Sequence, residues 1–477
     1  MIRKFITRLL GRQPTLGKRV DVPHARHQID ASQLPNSALT VVRTLQQAGF
    51  EAYIVGGAVR DLLLGLKPKD FDVATNATPE QVKPLFRRAL LIGRRFRIVH
   101  VLFGREVIEV STFRATPVEH SAVDGDARNA RALADKHHAV DASGRVLRDN
   151  VWGPQEQDAA RRDFTVNALY YDPTRDIVVD YHHGLRDLKA RTLRMIGDPA
   201  QRYREDPVRL LRVARFAAKL GFTIAPGTRA PIAGHAELLQ GVPSARLFDE
   251  TIKLLQTGHA LASLEQLRAL GLHHGLLPLL DLALGQPGGE AFVTAALGDT
   301  DARLAQGKTA SPSFLFASLL WPQVASHWRA AQAEGVPAIA ALDQAADEVL
   351  GAQSARLAIQ RRIASDMREV WQLQPRLARR TARYAEALLE HPRFRAAFDF
   401  LLLRARTGDA PPELASWWEE YQHADAQQRA TLLEQATRDS GADAAKRRRR
   451  RRRKPARSDA SASADAGDTA DTADTAD

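Results

Sequence analysis

Residues 56–72 decide the fold and read GGAVRDLLLGLKPKDFD. The preceding run, Tyr53-Ile54-Val55, is short and apolar, which is typical of a buried strand. Gly56 and Gly57 allow the backbone to approach a ligand closely, with N–H groups free to bind an anion. Arg60 lies on the next turn, where a helix N-terminus adds positive potential. The stretch therefore predicts a strand, an anion-binding turn and a helix.

A pair of acidic residues closes this stretch. If residues 70–74 form a strand, Asp70 and Asp72 point to one face, while Phe71 and Val73 point into the core. Two neighbouring carboxylates repel each other unless a positive group lies between them, and a divalent metal carrying a nucleoside triphosphate meets that need. A diglycine turn or an Asp-x-Asp pair alone is usually structural. Together they predict a phosphate cradle beside a metal-binding carboxylate pair.

The block resembles the nucleotidyltransferase superfamily that contains polymerase beta. Residues 56–61 and Asp70-Phe71-Asp72 match without a gap a signature of GG-x-VRD-x-LLG followed by DxD. That signature marks the branch of bacterial poly(A) polymerases and bacterial-type tRNA CCA-adding enzymes. By this resemblance Gly56, Gly57 and Arg60 hold the triphosphate, and Asp70 and Asp72 are catalytic metal ligands.

A second motif bears on the choice between these two enzymes. Arg94-Arg95-Phe96-Arg97 resembles an apolar–Gly–Arg–Arg–Phe–Arg run that distinguishes poly(A) polymerases of this branch. A solvated hairpin is the alternative interpretation of three arginines around a phenylalanine. The sequence also lacks a His-Asp pair with hydrolase spacing, such as some CCA-adding relatives append.

The block RRDFTVNAL within residues 159–171 is similar to another family motif. On a predicted helix, Asp163 and Asn167 are four residues apart and share a face. Taken alone, the block would be a surface helix with an ion pair at its start. The resemblance implies that Arg162 contacts the phosphates or sugar of the nucleotide, that Asp163 completes the acidic site, and that Asn167 lines the pocket.

Glu205-Asp206-x-x-Arg209 resembles the family's EDxxR motif. The resemblance implies that Asp206 and Arg209 recognise the incoming base and that Arg212 contacts the nucleotide. Asp206 followed by Pro207 also predicts a helix start. The alternative is a row of surface arginines, spaced three apart, that pairs with acids.

Glu109 lies in the otherwise mostly apolar predicted strand 107–114. An acid in such a strand is rarely left unpaired. It is either a third carboxylate at the metals or the salt-bridge partner of an arginine, and the sequence leaves both open.

Composition points to a polyanionic partner. The 477 residues carry a net charge of +12 and no cysteine, which excludes disulfides, thiolate metal sites and thiol nucleophiles. No apolar run reaches the ~18 residues of a membrane span. Residues 1–12 are basic and amphipathic, either a frayed leader or a weak membrane-surface helix.

We expect an α+β fold, with an N-terminal polymerase-beta-like domain (a mixed sheet with helices) followed by an all-helical RNA-binding region and a disordered tail. Helical periodicity dominates from about residue 217 to 435, and residues 115–148 suggest a mobile loop. The predicted divisions are 1–36 (basic arm), 37–200 (catalytic domain), 201–270 (helical base-recognition and RNA-binding domain), 271–435 (C-terminal helical RNA-binding region) and 436–477 (basic, then acidic, tail).

The C-terminal part carries further RNA-binding signals. Arginines between residues 356 and 383, with Trp371 and Tyr384 nearby, suit RNA backbone contacts and base stacking, although a solvated helical face fits equally well. A run of nine basic residues then forms a predicted sequence-independent RNA tether. Its members are Lys446, Arg447, Arg448, Arg449, Arg450, Arg451, Arg452, Arg453 and Lys454.

The resemblance implies template-independent transfer of AMP from ATP to RNA 3′ ends, with release of pyrophosphate, in a cytoplasmic enzyme that promotes RNA decay. Two Mg²⁺ ions are implied, held by Asp70 and Asp72 with Asp163 or Glu109. The implied partners are RNA 3′ ends, ATP and the RNA-decay machinery, and the implied state is a monomer. CCA addition to tRNA is the nearest alternative. A non-catalytic RNA-binding protein is another, which the intact acidic set disfavours.

Overall fold

A computed structural model describes residues 16–93, 97–115, 138–140, 146–149, 151–272, 283–354 and 357–438. Several predicted features lie outside these ranges: the segment 1–12, residues 94–96 of the arginine-rich motif, most of the loop 115–148, and the basic run 446–454. The chain divides into two compact units, residues 1–372 and 373–477. The five divisions expected from the sequence remain predictions.

The first unit contains an eight-stranded mixed sheet in the order β1-β10-β9-β2-β3-β6-β5-β4. Neighbouring strands are antiparallel except β3 and β6, which are parallel. The pairs β7–β8 and β11–β12 form two small sheets. The strands are β1 Val20–Pro23, β2 Ala52–Val55, β3 Asp72–Thr75, β4 Ala89–Ile92, β5 Ile98–Phe103, β6 Glu106–Thr112, β7 His138–Val140, β8 Val146–Asp149, β9 Leu169–Asp172, β10 Ile177–Asp180, β11 Thr192–Leu193 and β12 Thr223–Ile224.

Buried aromatic rings pack against one face at the centre of this sheet. Tyr53, Phe113, Tyr170 and Tyr181 belong to one core cluster, and Tyr170 makes edge contacts with the other three rings. All four residues of β2 are buried, as its apolar sequence predicts. The well-packed centre of the sheet therefore includes β2, which leads into the diglycine turn, and β3, which carries Asp72.

The predicted strand 70–74 is wrong at its start. β3 begins at Asp72, and its ladder with β2 ends at the pair Val55–Asp72. The cause is the diglycine turn, because β2 ends where the chain enters the next helix and offers no partner to Asp70 on that side. Asp70 thus lies in the loop before the strand and is exposed.

The predicted helix through Asp163 and Asn167 is also wrong. The α-helix Gln155–Arg161 ends at Arg162, which is extended with φ −63° and ψ 164°, and a 3-10 turn covers Thr165–Asn167. The backbone of this segment bonds instead to residues 194–196, where Asp163 O accepts from Ile196 N at 3.0 Å. Tertiary hydrogen bonds thus replace the helix.

Helices make up most of the remainder of the first unit. The pair Thr78-Pro79 predicts a helix start, and Thr78 forms a capping box with Gln81 at this point. The helices are His24–His27, Asn36–Gln47, Gly57–Leu63, Pro79–Val82, Gln155–Arg161, Gly184–Lys189, Pro199–Glu205, Val208–Leu220, Pro226–Arg229, Ile232–His235, Ser244–Leu255, Ala260–Ala269, Gly289–Ala305, Pro312–Ala333 and Ala338–Ser354. The helix Arg361–Leu377 contains the division between the units.

The second unit is helical throughout its described part. The helices Ala382–Leu389, Phe394–Arg406 and Pro412–His423 enclose a core in which Trp418 and Tyr421 are fully buried. Together with the mixed sheet of the first unit, this confirms the predicted α+β class. Across the ranges that the structure covers, no helix combines the length and apolarity needed to cross a bilayer.

The two aromatic residues proposed for base stacking have different environments. Trp371 is fully buried and donates from Nε1 to the carbonyl of Ala317 at 3.1 Å. It is a core residue, so its predicted role in stacking is wrong. Tyr384 is 44% exposed, with the guanidinium of Arg379 5.7 Å from its ring centroid. It retains an accessible face.

Candidate active site

Two acidic residues lie side by side on neighbouring strands. Asp72, the first residue of β3, is in register with Glu109 of the parallel strand β6. Asp72 is an exposed residue, but desolvation by the surrounding protein raises its pKa to about 6, and the charges of Glu109 and Asp70 add to this effect while Arg162 opposes it. No ion pair joins Asp72 to a basic side chain in the part of the chain that the structure covers. Nearby positive charge therefore balances the negative charge of Asp72 and Glu109 only in part, which favours cation binding.

The contact partner of Glu109 is a histidine. Glu109 Oε1 lies 3.2 Å from His100 Nε2 on the adjacent strand β5. The expected alternative, an arginine partner, is not seen among the described residues. Glu109 is half-exposed and its carboxylate retains an open side. It thus remains available as a ligand next to Asp72.

The described residues also contain one compact His/Asp cluster outside this site. Ligand atoms of His24, His27 and Asp176 lie within 4.8 Å of one another. Both ring nitrogens of His27 are already engaged, because Nδ1 accepts from Ile29 N at 3.1 Å and Nε2 contacts the carbonyl of Asp176 at 3.1 Å. The cluster therefore ties the helix after β1 to the β9–β10 turn.

The diglycine turn is enclosed by two arginines. Gly56 has φ 71° and ψ −126°, and a Cβ at this position would lie 3.3 Å from Arg162 Nη1. A Cβ on Gly57 would lie 3.6 Å from Arg60 Nη2. Larger residues at these two positions would therefore occupy the space between the backbone and the guanidinium groups.

Hydrogen bonds to neighbouring side chains hold both arginines in place. Arg60 is buried, donating from Nη1 to Asn167 Oδ1 at 2.6 Å and from Nε and Nη2 to Asp61 Oδ1 at 2.8 and 2.6 Å. Arg162 donates from Nε and Nη2 to Asp158 and also from Nε to the Tyr170 hydroxyl, which leaves Nη1 toward Gly56. Positive charge is thus held in place around the turn before any ligand binds.

Asp163 has a different environment from Asp72. Its Oδ2 accepts from Arg212 Nε at 2.9 Å and Nη2 at 2.5 Å, while Oδ1 accepts from Phe164 N and Asn167 Nδ2. Burial opposes its charge, but Arg212 and these hydrogen bonds outweigh burial and lower the pKa of Asp163 to about 2. The carboxylate is thus ionised, and both of its oxygens are occupied by protein donors.

An acceptor and a set of donors meet at the helix Val208–Leu220. Asp206 accepts from Arg246 Nη2 at 3.0 Å through Oδ2, while its buried Oδ1 has no partner among the described residues. Arg209 donates from Nη1 to the carbonyl of Arg202 at 2.8 Å and also contacts Glu205. Asp206 and Arg209 both line the same cleft.

These groups surround one cleft of about 550 Å³. Seven basic side chains and five acidic ones line it, so its wall favours an anionic ligand. The lining residues are Gly56, Gly57, Arg60, Asp72, Arg161, Arg162, Asp163, Asn167, Asp206, Val208, Arg209, Arg212, Phe216, Arg246, Asp249, Glu250 and Lys253.

The cleft brings together the predicted nucleotide-binding residues and the predicted carboxylates Asp72 and Asp163. Asp70 and Glu109 are not among the lining residues; Glu109 is connected to the cleft only through its register with Asp72. The predicted tether 446–454 lies outside the described residues.

Sequence reasoning missed one wall of the cleft. Arg246, Asp249, Glu250 and Lys253 come from the helix Ser244–Leu255, here named the rim helix. Their spacing of three, four and seven residues along a predicted helix was the available signal, but charged faces at that spacing are usually solvated. Arg161 was also missed. Burial, with Arg114, Arg202 and Arg209 nearby, lowers the pKa of Arg161 to about 9.

Three protein-family models match the chain. They are "Poly A polymerase head domain" over residues 52–194, "Probable RNA and SrmB- binding site of polymerase A" over 221–284, and "Polymerase A arginine-rich C-terminus" over 334–454. The first of these covers the eight-stranded sheet except β1, together with Asp70, Asp72, Glu109 and Asp163.

The chain is similar to a poly(A) polymerase I over most of its length and to CCA-adding enzymes at lower sequence identity. The Poly(A) polymerase I of Haemophilus influenzae is 46% identical over 420 residues, covering 87% of this chain and 90% of its own length. The CCA-adding enzyme of Levilactobacillus brevis is 39% identical over 225 residues, covering 47% of this chain and 50% of its own. The crystal structure of the Bacillus stearothermophilus CCA-adding enzyme in complex with CTP has a TM-score of 0.54 at 27% identity, covering 83% of this chain and 82% of that one.

The chain therefore belongs to the poly(A) polymerase I family, and it is an enzyme, a polynucleotide adenylyltransferase. The more distant CCA-adding enzymes share about half of its length in sequence.

Proposed function

We propose that this enzyme extends RNA 3′ ends with AMP taken from ATP, without a template and with release of pyrophosphate. The observation that carries the proposal is a single cleft lined by Asp72 and also by Asp206, which has one unpartnered oxygen, and Arg209. One end offers carboxylates for metal-assisted phosphoryl transfer, and the other offers groups that can read a base.

The carboxylates fit magnesium by their chemistry. They offer oxygen donors only, and Asp72 lies near the negative charges of Glu109 and Asp70 without an ion-pair partner of its own among the described residues. Magnesium is commonly held by one or two carboxylates together with substrate phosphates. Asp72, with Asp70 and Glu109, would hold the two expected ions. When bound at these carboxylates, the ions would supply charge neutralisation and would lower the pKa of the RNA 3′-OH.

Glu109 is proposed as the third carboxylate in place of Asp163. Glu109 is in register with Asp72 and keeps an open side, whereas both oxygens of Asp163 accept hydrogen bonds from the protein. The role proposed for Asp163 is to orient Arg212, whose guanidinium also contacts the ring of Phe216 at 5.5 Å.

The arginines at the diglycine turn are proposed to bind the triphosphate. In the reaction, a bond forms between the RNA 3′-oxygen and the α-phosphorus while the bond from that phosphorus to the bridging oxygen of the β-phosphate breaks. Arg162 Nη1, held beside Gly56, would balance the charge that pyrophosphate carries as it leaves. Because Arg162 is already fixed by Asp158 and Tyr170, little reorganisation is needed.

Base selection is proposed to depend on Asp206 and Arg209. Adenine presents an amino donor at N6 next to an acceptor at N1, which complements a carboxylate oxygen and a guanidinium. Guanine and uracil present a carbonyl and an N–H in the opposite order, so the same pair disfavours them. Cytosine shares the pattern of adenine, which is why CCA addition remains the outcome to test against.

One assay tests the reaction directly. Purified protein is given an unstructured RNA, Mg²⁺ and each NTP singly, and a tRNA lacking its CCA end is tested in parallel. Long tails with ATP alone on the generic RNA support polyadenylation. Addition limited to C, C and A on tRNA would establish the CCA alternative. RNA binding without transfer would establish a non-catalytic protein.

The wider setting is also proposed from the family. The helices beyond about residue 217 would bind the RNA 3′ end, and the added tails would promote RNA decay by cytoplasmic nucleases. We propose that the enzyme acts as a monomer. Comparing the half-life of a reporter RNA in cells with and without the enzyme tests the decay role, and an unchanged half-life would remove it.

A further inference from the structure

We propose that Arg246 of the rim helix is a positioning residue that holds the Asp206 carboxylate at the wall of the cleft and so sets the preference for a base that presents an amino donor beside a ring-nitrogen acceptor, as adenine does. This inference rests on the proposed function of the cleft. It adds a residue from outside the recognised motifs, 40 positions beyond the acid on which it acts.

The backbone of Asp206 does not fix its side chain. Asp206 follows the helix Pro199–Glu205 as its C-cap, with φ −148° and ψ 93°, and Pro207 precedes the next helix. The residue thus occupies an extended joint between two helices. A side chain at such a joint can adopt more than one rotamer unless a tertiary contact selects one.

Arg246 supplies that contact, and it does so through one oxygen only. Arg246 Nη2 donates to Asp206 Oδ2 at 3.0 Å, and no other side-chain hydrogen bond to this carboxylate occurs among the described residues. The neighbour expected from the motif, Arg209, uses Nη1 for the carbonyl of Arg202 and for Glu205 instead. One guanidinium therefore holds the side chain of a residue that lines the cleft, and it leaves the other oxygen of that side chain without a donor.

The second carboxylate oxygen of Asp206, Oδ1, is the atom proposed to accept a hydrogen bond from the base. Asp206 Oδ1 is buried, has no partner within the described residues, and belongs to a residue that lines the cleft. A buried acceptor without a donor is costly, and such atoms in native proteins call for a ligand or other explanation. An amino group of a bound base would supply the missing donor.

The positive charge of Arg246, like its hydrogen bond, favours an acceptor role for Asp206. Burial opposes ionisation of Asp206, but the positive charges of Arg209 and Arg246 outweigh it and lower the pKa of this carboxyl. An ionised carboxylate only accepts hydrogen bonds, whereas a protonated one can donate to the carbonyl of guanine or uracil. Arg246 thus keeps the acceptor character on which discrimination depends.

The test compares Arg246→Gln and Arg246→Lys with a matched control, Arg19→Gln. The Arg19–Asp21 pair lies outside the cleft, and its arginine side chain is 35% exposed against 37% for Arg246. For each protein, kcat and KM are measured with ATP and with GTP on the same RNA, and folding is followed by thermal unfolding.

Arg246→Gln should raise KM for ATP and lower the ATP-to-GTP ratio of kcat/KM on the order of tenfold to a hundredfold, the effect of removing one hydrogen bond to a charged group. kcat at saturating ATP should change little, because the carboxylates at the other end are intact. Arg246→Lys should recover part of the ratio, and Arg19→Gln should keep it.

A double variant separates positioning from general damage. In an Asp206→Asn background, Arg246→Gln should cause no further reduction of discrimination, since both changes act on the same hydrogen bond. Additive reductions, or an unchanged ATP-to-GTP ratio in a folded Arg246→Gln enzyme, would overturn the inference. Equilibrium binding of ATP and GTP without RNA is measured on the same variants. That ratio tests the inference even if the wild-type enzyme fails to extend RNA, which would refute only the proposed function.

Discussion

Asp163 and Arg212 form a two-pronged ion pair across 49 residues of sequence, with Asp163 Oδ2 at 2.9 Å from Nε and 2.5 Å from Nη2. Asp163, which the motif suggests as a third metal ligand, therefore forms an ion pair with an arginine of the cleft wall instead. Asp72, by contrast, has a raised pKa and no ion-pair partner among the described residues. The two aspartates of the site thus differ in environment and, we infer, in role.

We expect Asp163→Asn to leave cation binding intact and to destabilise the protein by about 2 kcal/mol, since the variant removes one partner of a largely buried pair. Asp72→Asn should instead weaken cation binding. Mn²⁺ binding, followed by electron paramagnetic resonance without nucleotide, distinguishes the two variants, and urea unfolding gives the stability. Weakened Mn²⁺ binding in a folded Asp163→Asn protein would mean that Asp163 is a metal ligand, contrary to this expectation.

The raised pKa of Asp72 predicts a pH dependence for the metal-free protein. A group whose pKa is higher in the folded state adds stability below its ordinary value of 3.8, and that contribution disappears as the pH rises through about 6. In EDTA, Asp72→Asn should therefore gain stability relative to wild type between pH 5 and pH 7. Denaturant unfolding at both pH values measures the difference, and parallel stabilities across this range would contradict the expectation.

Glu109→Gln should lower the pKa of Asp72 only in part, because it removes the neighbouring negative charge while the desolvation by the surrounding protein remains. NMR titration of the labelled Asp72 carboxyl carbon measures the change. The same variant should lose most of its transfer activity if Glu109 is a ligand. Near-normal activity would leave Glu109 with a structural role only.

Gly56→Ala should impair nucleotide binding through both backbone strain and crowding. Its φ of 71° is costly for a residue with a Cβ, about 1–3 kcal/mol, and the added atom would lie 3.3 Å from Arg162 Nη1. Gly65→Ala is the matched control, since its φ is 69° with nothing within 4 Å of the added Cβ. Both variants should lose stability, but ATP affinity should fall only in Gly56→Ala. Equal ATP affinities would remove Gly56 from the cradle.

Truncation after residue 445 should weaken RNA binding most at low salt, because it removes the nine basic residues 446–454. For every RNA phosphate that the shortened chain no longer neutralises, the slope of log affinity against log salt should become shallower by about 0.7. ATP affinity should not change. Deleting the acidic segment 458–477 alone should tighten RNA binding. RNA affinity measured against salt for the three chains tests this, and identical slopes would mean that the tail does not bind RNA.

Local sequence signals determined much of the catalytic unit. The apolar run 53–55, the diglycine turn and the capping residue Thr78 each act through neighbours in the chain, and the structure has the predicted strand, turn and helix at each. The predicted boundaries failed where a distant partner intervened. Asp70 is outside its strand because β2 ends at Val55, and Asp163 is outside a helix because its backbone bonds to residues 194–196.

The sequence by itself determined the family, the diglycine turn and which side chains carry charge, because motifs and periodicity are local properties that need no partner. Only the tertiary structure decided how those charges pair. It placed Arg246 on Asp206 and Arg212 on Asp163, left Asp72 without an ion-pair partner among the described residues, and buried Trp371 in the core. A charged or aromatic side chain has the same identity in each setting. Its role depends on which distant residues, if any, fold against it.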